Sequence, residues 1–235
     1  AARFREQSLK YRQYYCPEYG TLRPLQKDGS FLEPFNPRQG ENFEPVPGFH
    51  EGSAWNYTFY VPHDVMGLAQ LMGGKKAFVT KLQKVFDEGL YDPANEPDIA
   101  YPYLFSYFKG EEWRTQKTVH ELLEKYYTTR PNGLPGNDDT GTMSAWAIFS
   151  MMGFYPDCPG KAEYTLTTPR FDSIEIRLAP EYCEGETKLV IKCSRTSGEG
   201  WKKIGSVKLS GKTLPSLRVS HKDLVKGGLL EFRCR

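Results

Sequence analysis

Residues 136–146 read GNDDTGTMSAW, with two adjacent carboxylates, Asp138 and Asp139, at the mouth of an apolar helix predicted from about Met143 to Met152. The positive end of a helix dipole favours an ionised carboxylate. A carboxylate kept charged can act as a general base toward water. Gly136 and Gly141 are expected to let the chain bend around the pair. The residues alone leave a plainer reading open, in which the aspartates are a helix cap and a turn.

A second candidate lies in FHEGSAWNYTFYVPHD, residues 49–64. Glu51 precedes Gly52 and Ser53 in a loop carrying Trp55, Tyr57, Phe59 and Tyr60. Apolar walls penalise a charged carboxylate and raise its pKa, which is what a general acid requires. The alternative is a surface glutamate. Asp64 is most simply a helix cap, and His63 a structural histidine. Asn56-Tyr57-Thr58 matches a glycosylation sequon, but its aromatic surroundings predict burial, so we expect it to stay unmodified.

The third stretch is YDPANEPDIAYP, residues 91–102. Asn95 and Glu96 offer an amide oxygen and a carboxylate on a turn stiffened by Pro97, and hard cations such as calcium take oxygen ligands of this kind. It is not an EF-hand loop, and a helix-start turn capped by Asp98 accounts for it equally well. EEWRTQKT, residues 111–118, reads as an exposed helix start. One acid held protonated and one held charged is the pairing that glycoside hydrolysis uses.

The elements that must position these groups change character along the chain. Residues 1–15 read as a helix end. Residues 16–50 carry Pro17, Pro24, Pro34, Pro37, Pro45 and Pro47, which exclude a continuous helix. Their aromatics (Tyr19, Phe31, Phe35, Phe43 and Phe49) predict an ordered loop packed on the surface. Helices follow. PHDVMGLAQLMGG begins at a proline and stops at Gly73-Gly74. In the next helix Phe78, Leu82, Val85 and Phe86 form an apolar stripe. DIAYPYLFSYFKG is a short aromatic helix, and residues 111–129 carry an amphipathic one. The helix of residues 143–152 is apolar nearly all round, so it is expected to be buried. After about residue 157 the period changes to the alternation of strands in AEYTLTTPRFDSIEIRLAP, ETKLVIKCS, WKKIGSVKLSG and GGLLEFRCR. Helices followed by strands imply an α+β fold rather than a parallel α/β sheet.

A net charge of +2 over 235 residues gives no global pull toward nucleic acid or acidic membranes. No apolar run reaches the length of about eighteen residues needed to span a membrane. GxSxG, P-loop and dinucleotide fingerprints are missing. No histidine has another histidine four residues away. The five cysteines form no CxxC pair, which argues against a zinc ribbon. Cys183 and Cys193 flank a predicted hairpin and are candidates for a bridge. Because the chain opens inside what reads as a helix, we expect a piece of a longer polypeptide.

Three of these stretches, EGSAWNYTFYVPHD, NEPDIAYPYLF and GLPGNDDTGTMSAWAIFSMMGFYPDCPG, with the entry DGSFLEPFNP, closely resemble glycoside hydrolase family 92, whose members are calcium-dependent inverting exo-α-mannosidases. The motifs are collinear over residues 1–178. The resemblance implies the second half of an (α/α)6 toroid (residues 1–157) followed by a C-terminal antiparallel β-rich domain (158–235). An N-terminal β-sandwich would lie outside the chain. Glu51 matches the family's general acid. Asp139 matches its base in the pattern G-[D/N]-[D/E]-D-x-G, where Asn137 holds the first variable position. Asn95 and Glu96 match the calcium turn. Trp55, Asn56 and Asp138 are implied contacts to substrate, with Asn56 near enough to serve sugar or metal. The implied reaction is release of a terminal α-linked mannose, α-1,2 first among the linkages, from glycans such as N-glycans, by a secreted or periplasmic enzyme. Inversion predicts carboxyls about 6.5–9.5 Å apart, against about 5 Å for retention. Without its sandwich domain the chain is expected to be weak or inactive by itself. The competing function is a non-catalytic carbohydrate- or partner-binding module, which its aromatic density would also suit.

Overall fold

The computed structural model describes residues 1–40, 44–181, 183, 188–197 and 201–235. The chain forms two compact units, Ala1–Tyr101 and Pro102–Arg235.

The first unit begins with α1 (Ala2–Ser8), a 3-10 turn (Lys10–Tyr14), and a two-stranded ribbon of β1 (Tyr15–Cys16) and β2 (Thr21–Leu22). Within its described residues the proline-rich stretch packs its aromatics as predicted. Tyr19 and Phe35 meet edge to face at 5.0 Å, and the Arg23 guanidinium lies 5.0–5.4 Å from the rings of Tyr19, Phe31 and Phe35. Phe43 lies outside the described residues. Three helices follow: α2 (Ala54–Thr58), α3 (Val65–Leu71) and α4 (Lys75–Asp87). Asp64 caps α3 by accepting from the Gly67 amide at 3.0 Å, and His63 bonds the Ser8 carbonyl at 2.8 Å; both are structural. Phe78, Leu82 and Val85 of α4 are fully enclosed, each burial stabilising by roughly 1.5–3 kcal/mol.

The second unit carries α5 (Glu112–Tyr126), α6 (Thr142–Met152) and the strands. Of α6, Met143, Trp146, Ala147 and Ser150 are buried, whereas Ile148 is 57% exposed. The helix is therefore enclosed along one side rather than all round. A three-stranded sheet orders β3 (Phe154–Tyr155), β4 (Glu163–Leu166) and β9 (Arg218–Ser220). A five-stranded sheet runs β5 (Ser173–Arg177), β6 (Lys188–Arg195), β10 (Gly228–Cys234), β7 (Ile204–Leu209) and β8 (Lys212–Thr213). Both sheets contribute to one core, with Phe154, Leu166 and Val219 from the first and Leu189, Ile191, Val207, Leu230 and Phe232 from the second. A short helix α7 (His221–Leu224) adds Leu224.

One pairing departs from the antiparallel expectation. β10 inserts between β6 and β7 and runs parallel to β6. A parallel neighbour needs a long crossover, here the chain through β7, β8, β9 and α7. The insertion also separates β6 from β7 and decides the cysteines. Cys193 lies beside Cys234, with sulfurs 3.6 Å apart, instead of bridging Cys183; all five cysteines are free thiols.

Candidate active site

In the first unit, Glu51 sits at φ 53°, a left-handed conformation that costs a non-glycine residue roughly 1–2 kcal/mol. Neighbouring bonds hold it there. The Asn95 amide nitrogen donates to the Glu51 carbonyl at 2.5 Å, and buried Ser53 caps α2 through the Trp55 amide at 3.3 Å. The Glu51 side chain is 59% exposed, with His50 Nε2 3.5 Å away. The apolar enclosure expected around this carboxyl is therefore not supplied by the described residues.

Asn56 is spent inside the protein. Its Oδ1 accepts from the Ser53 amide and hydroxyl, each at 2.8 Å. Its Nδ2 donates to Asp98 Oδ2 at 2.8 Å and to the Leu90 carbonyl at 3.3 Å. This corrects the expectation of a sugar or metal contact, because neither end of the amide is left to make one; the sequon is equally enclosed. Trp55, expected as a sugar platform, is 6% exposed and has the Lys81 and Lys84 ammoniums 4.9 and 5.3 Å from its ring centre.

Asp98 is the residue the sequence misplaced. It does not cap a helix with its side chain. The carboxyl is fully buried, and Oδ2 accepts from the Asp92 amide at 2.7 Å as well as from Asn56. Burial pushes its pKa well above the ordinary carboxylate value, against the lowering effect of those two bonds. Tyr57 was also passed over. Its hydroxyl donates to the His50 carbonyl, and its pKa is raised by burial and then by the charges of Glu51, Asp98 and Glu96. One phenol thus senses the proposed acid, the buried acid and the proposed metal ligand.

On the turn itself Asn95 is 4% exposed and Glu96 is exposed. Asn95 commits its nitrogen to Glu51, while its Oδ1 takes no hydrogen bond from the described residues. A free amide oxygen beside an accessible carboxylate fits the donor chemistry of calcium. No cluster of three His, Cys, Asp or Glu side chains suited to a metal occurs among the described residues.

In the second unit the structure separates the two aspartates. Asp138 lies ahead of Gly141, the N-cap residue of α6, and its side chain takes up first-turn amides of that helix. Its Oδ1 accepts from the Met143 and Ser144 amides at 2.8 and 3.0 Å, and its Oδ2 from the Ser144 hydroxyl at 2.5 Å. The Ser144 hydroxyl, then the Ser144 and Met143 amides, hold its pKa below the ordinary carboxylate value. Asp139 is exposed. Its carbonyl accepts from the Thr140 and Thr142 hydroxyls, whereas its carboxylate takes no hydrogen bond from the described residues. Asn137 is exposed too. The bend uses Thr140 (φ 53°) and Gly141 (φ 78°) as left-handed steps; Gly136 does not take one.

The structure thus gathers Glu51, Asn56, Asn95 and Asp98 in one unit and Asn137, Asp138 and Asp139 in the other. Each unit thus offers one exposed carboxyl, Glu51 and Asp139, and a pair of carboxyls is what glycoside hydrolysis uses. The model of the glycosyl hydrolase family 92 catalytic domain matches residues 1–235, and the chain belongs to that family. It is 30% identical over 183 residues to an uncharacterized secreted glycosidase of Arthroderma benhamiae, a match covering 78% of this chain and 23% of that protein. A family GH92 α-mannosidase of Bacteroides thetaiotaomicron, solved with mannoimidazole, superposes with a TM-score of 0.85 at 27% identity, covering 97% of this chain and 31% of that one. An inverting GH92 mannosidase of the same organism gives 0.84 at 27% identity, over 99% and 33%. The chain therefore spans between about a quarter and a third of the length of these relatives. No helix among the described residues is long and apolar enough to cross a membrane.

Proposed function

We propose that the protein carrying this chain hydrolyses a terminal α-linked mannose from a glycan, with inversion, and that the chain supplies both carboxyls of the reaction from the C-terminal part of its catalytic region. In this reading residues 1–157 complete an (α/α)6 toroid, residues 158–235 form its tail, and an N-terminal sandwich closes the sugar pocket. Glu51 protonates the departing glycosidic oxygen. Asp139 takes a proton from a water on the opposite face of the ring. Asn137 and Asp138 shape the turn that presents Asp139. Asn95 Oδ1 and the Glu96 carboxylate would hold calcium, which when bound supplies positive charge to vicinal sugar hydroxyls. An α-1,2 linkage on an N-glycan is the first substrate to test. The fungal relative's description as secreted supports a secreted or periplasmic location.

The observation that carries the reading is that, inside a family 92 match, Glu51 and Asp139 keep exposed carboxyls on backbones fixed by their neighbours. The test is mannose release from α-1,2-mannobiose by the full-length protein, followed with anomeric detection, after chelation and after calcium is restored. We expect β-mannose as first product, loss with the chelator, recovery with calcium and loss in Glu51→Gln. An α product, or full activity in Glu51→Gln, overturns the assignment.

A further inference from the structure

Outside the reacting groups, a buried polar network ties the loop that carries Glu51 to the turn at residues 92–98. Asn56 is its centre, receiving Ser53 from the loop side and giving its Nδ2 to Asp98 on the turn side, with both partners buried. The backbone around Asn56 is held as well. The Tyr101 hydroxyl donates to the Asn56 carbonyl at 2.5 Å and receives the Phe59 amide at 3.1 Å. Gly52 is packed so closely that a Cβ there would stand 3.1 Å from Asn95 Nδ2 and 3.2 Å from Asn56 Cβ. Gly52 thus links Glu51 by close packing to the seat of Asn56, and Asp98 is one of the groups that hold Asn56 there.

We propose that Asp98 is a positioning residue for the general acid: through Asn56 and Ser53 it fixes the backbone that aims Glu51 at the leaving oxygen. This rests on the mannosidase reading for what Glu51 does, but not for the mechanical coupling. Asp98 touches neither sugar nor leaving group. Its effect is confined to the step that requires protonation, because a misaimed acid costs most where the leaving oxygen is a poor leaving group. Asp98→Asn can leave an oxygen where Oδ2 now accepts both bonds, so it is the conservative variant. Asp98→Ala removes the acceptor altogether.

The test uses the full-length protein and two readouts. In the first, wild type, Asp98→Asn and Asp98→Ala are compared on α-mannobiose and on 2,4-dinitrophenyl α-mannoside, whose phenolate departs without a proton. Asp98→Ala is expected to lose roughly 100-fold or more in kcat on the disaccharide, the range of general acid catalysis, while staying within about threefold on the aryl mannoside; Asp98→Asn tracks wild type on both. Partial unfolding would lower both substrates together, so an equal loss on the two overturns the proposal, as does an undiminished rate on the disaccharide. In the second readout, amide hydrogen exchange, Asp98→Ala is expected to speed exchange at Ser53, whose amide donates to Asn56, with helix α4 unchanged. Unchanged Ser53 exchange overturns the coupling whatever the enzyme's substrate. A wild type inactive on both substrates, with Ser53 responding to Asp98→Ala, leaves the coupling standing and removes the mannosidase reading instead.

Discussion

Replacing each aspartate of the 138–139 pair separately tests the division of labour between them. Asp138→Ala removes the oxygen that accepts from the Met143 and Ser144 amides at 2.8 and 3.0 Å, and the partner of the Ser144 hydroxyl. Two backbone donors in the first turn of α6 then depend on water. Losing this acceptor, which serves the first-turn amides as an N-cap side chain would, makes the first turn open about fivefold more often, and this is read as faster amide exchange. A peptide spanning residues 142–150 reports it by mass spectrometry. Asp139→Asn removes a charge that no described residue bonds, so exchange in that peptide should match wild type. Its effect belongs to turnover, which should fall by roughly 100- to 10 000-fold, the range of a lost general base. The reasoning is refuted if Asp139→Asn loosens α6 as much as Asp138→Ala does, or if Asp138→Ala leaves the exchange of residues 142–150 unchanged. Full mannose release by Asp139→Asn would remove Asp139 from the chemistry.

Three further outcomes follow from the second unit. Phe232, 1% exposed in the core shared by the two sheets, should cost about 3–5 kcal/mol when cut to alanine, read as a lower denaturation midpoint. Burial opposes the charge on Glu163, but its bonds to Lys161 and Arg218, at 3.0 and 2.9 Å, outweigh that and set its pKa below the ordinary 4.5. A depressed folded pKa stabilises above the ordinary value and the stabilisation is lost as pH falls through the folded one. Glu163→Gln should therefore destabilise near neutrality, by well under about 1 kcal/mol because the group is solvent-screened, and be neutral in strong acid; an equal effect at both pH values contradicts this. The Cys234 hydrogen bond, with Arg195 nearby, draws the Cys193 thiol below its ordinary pKa despite burial, and the sulfurs stand 3.6 Å apart. Diamide, which takes up the two electrons and two protons the thiols lose, should link Cys193 to Cys234 and leave Cys183 open to alkylation, as peptide mapping would read.

What the sequence made legible was local. The stripe of Phe78, Leu82, Val85 and Phe86 predicts α4, and the observed helix buries the first three and half-buries Phe86. Strand alternation marks β6 and β10, whose inward Leu189, Ile191, Leu230 and Phe232 enter the core. Glu51 is marked as a candidate by its place before Gly52, and Asp139 by its place in the segment fenced by Gly136 and Gly141. What stayed hidden depends on partners far along the chain. Nothing near Asp98 signals that Asn56, 42 residues earlier, will claim its carboxyl, so a helix cap was the natural local reading. The insertion of β10 between β6 and β7 is likewise invisible to period, because alternation fixes which face a residue takes but not which strand lies beside it. A left-handed step at Thr140 has no sequence signal, because Gly136 and Gly141 already account for a turn there.

The adjacent aspartates have a physical explanation that extends to the other unit. A carboxylate that caps a helix is held charged by the amides it accepts, and its orientation is set by them; it cannot also turn to meet a water and take up its proton without releasing the helix. A chain that needs both tasks at one helix mouth needs two side chains, and here the Asp138 carboxylate takes the amides while the Asp139 carboxylate takes none from the described residues. In the first unit the same separation runs over longer range. Asp98 is buried and committed to Asn56 and Asp92, while Glu51 keeps its carboxyl exposed, with His50 Nε2 3.5 Å away, and its main chain is held by Asn95. In both units one acid is committed to structural bonds while the other keeps an exposed carboxyl, and in the proposed reaction it is the exposed one that exchanges a proton. That division explains why a catalytic candidate in this chain is recognised by the hydrogen bonds its carboxyl lacks as much as by those its neighbours make.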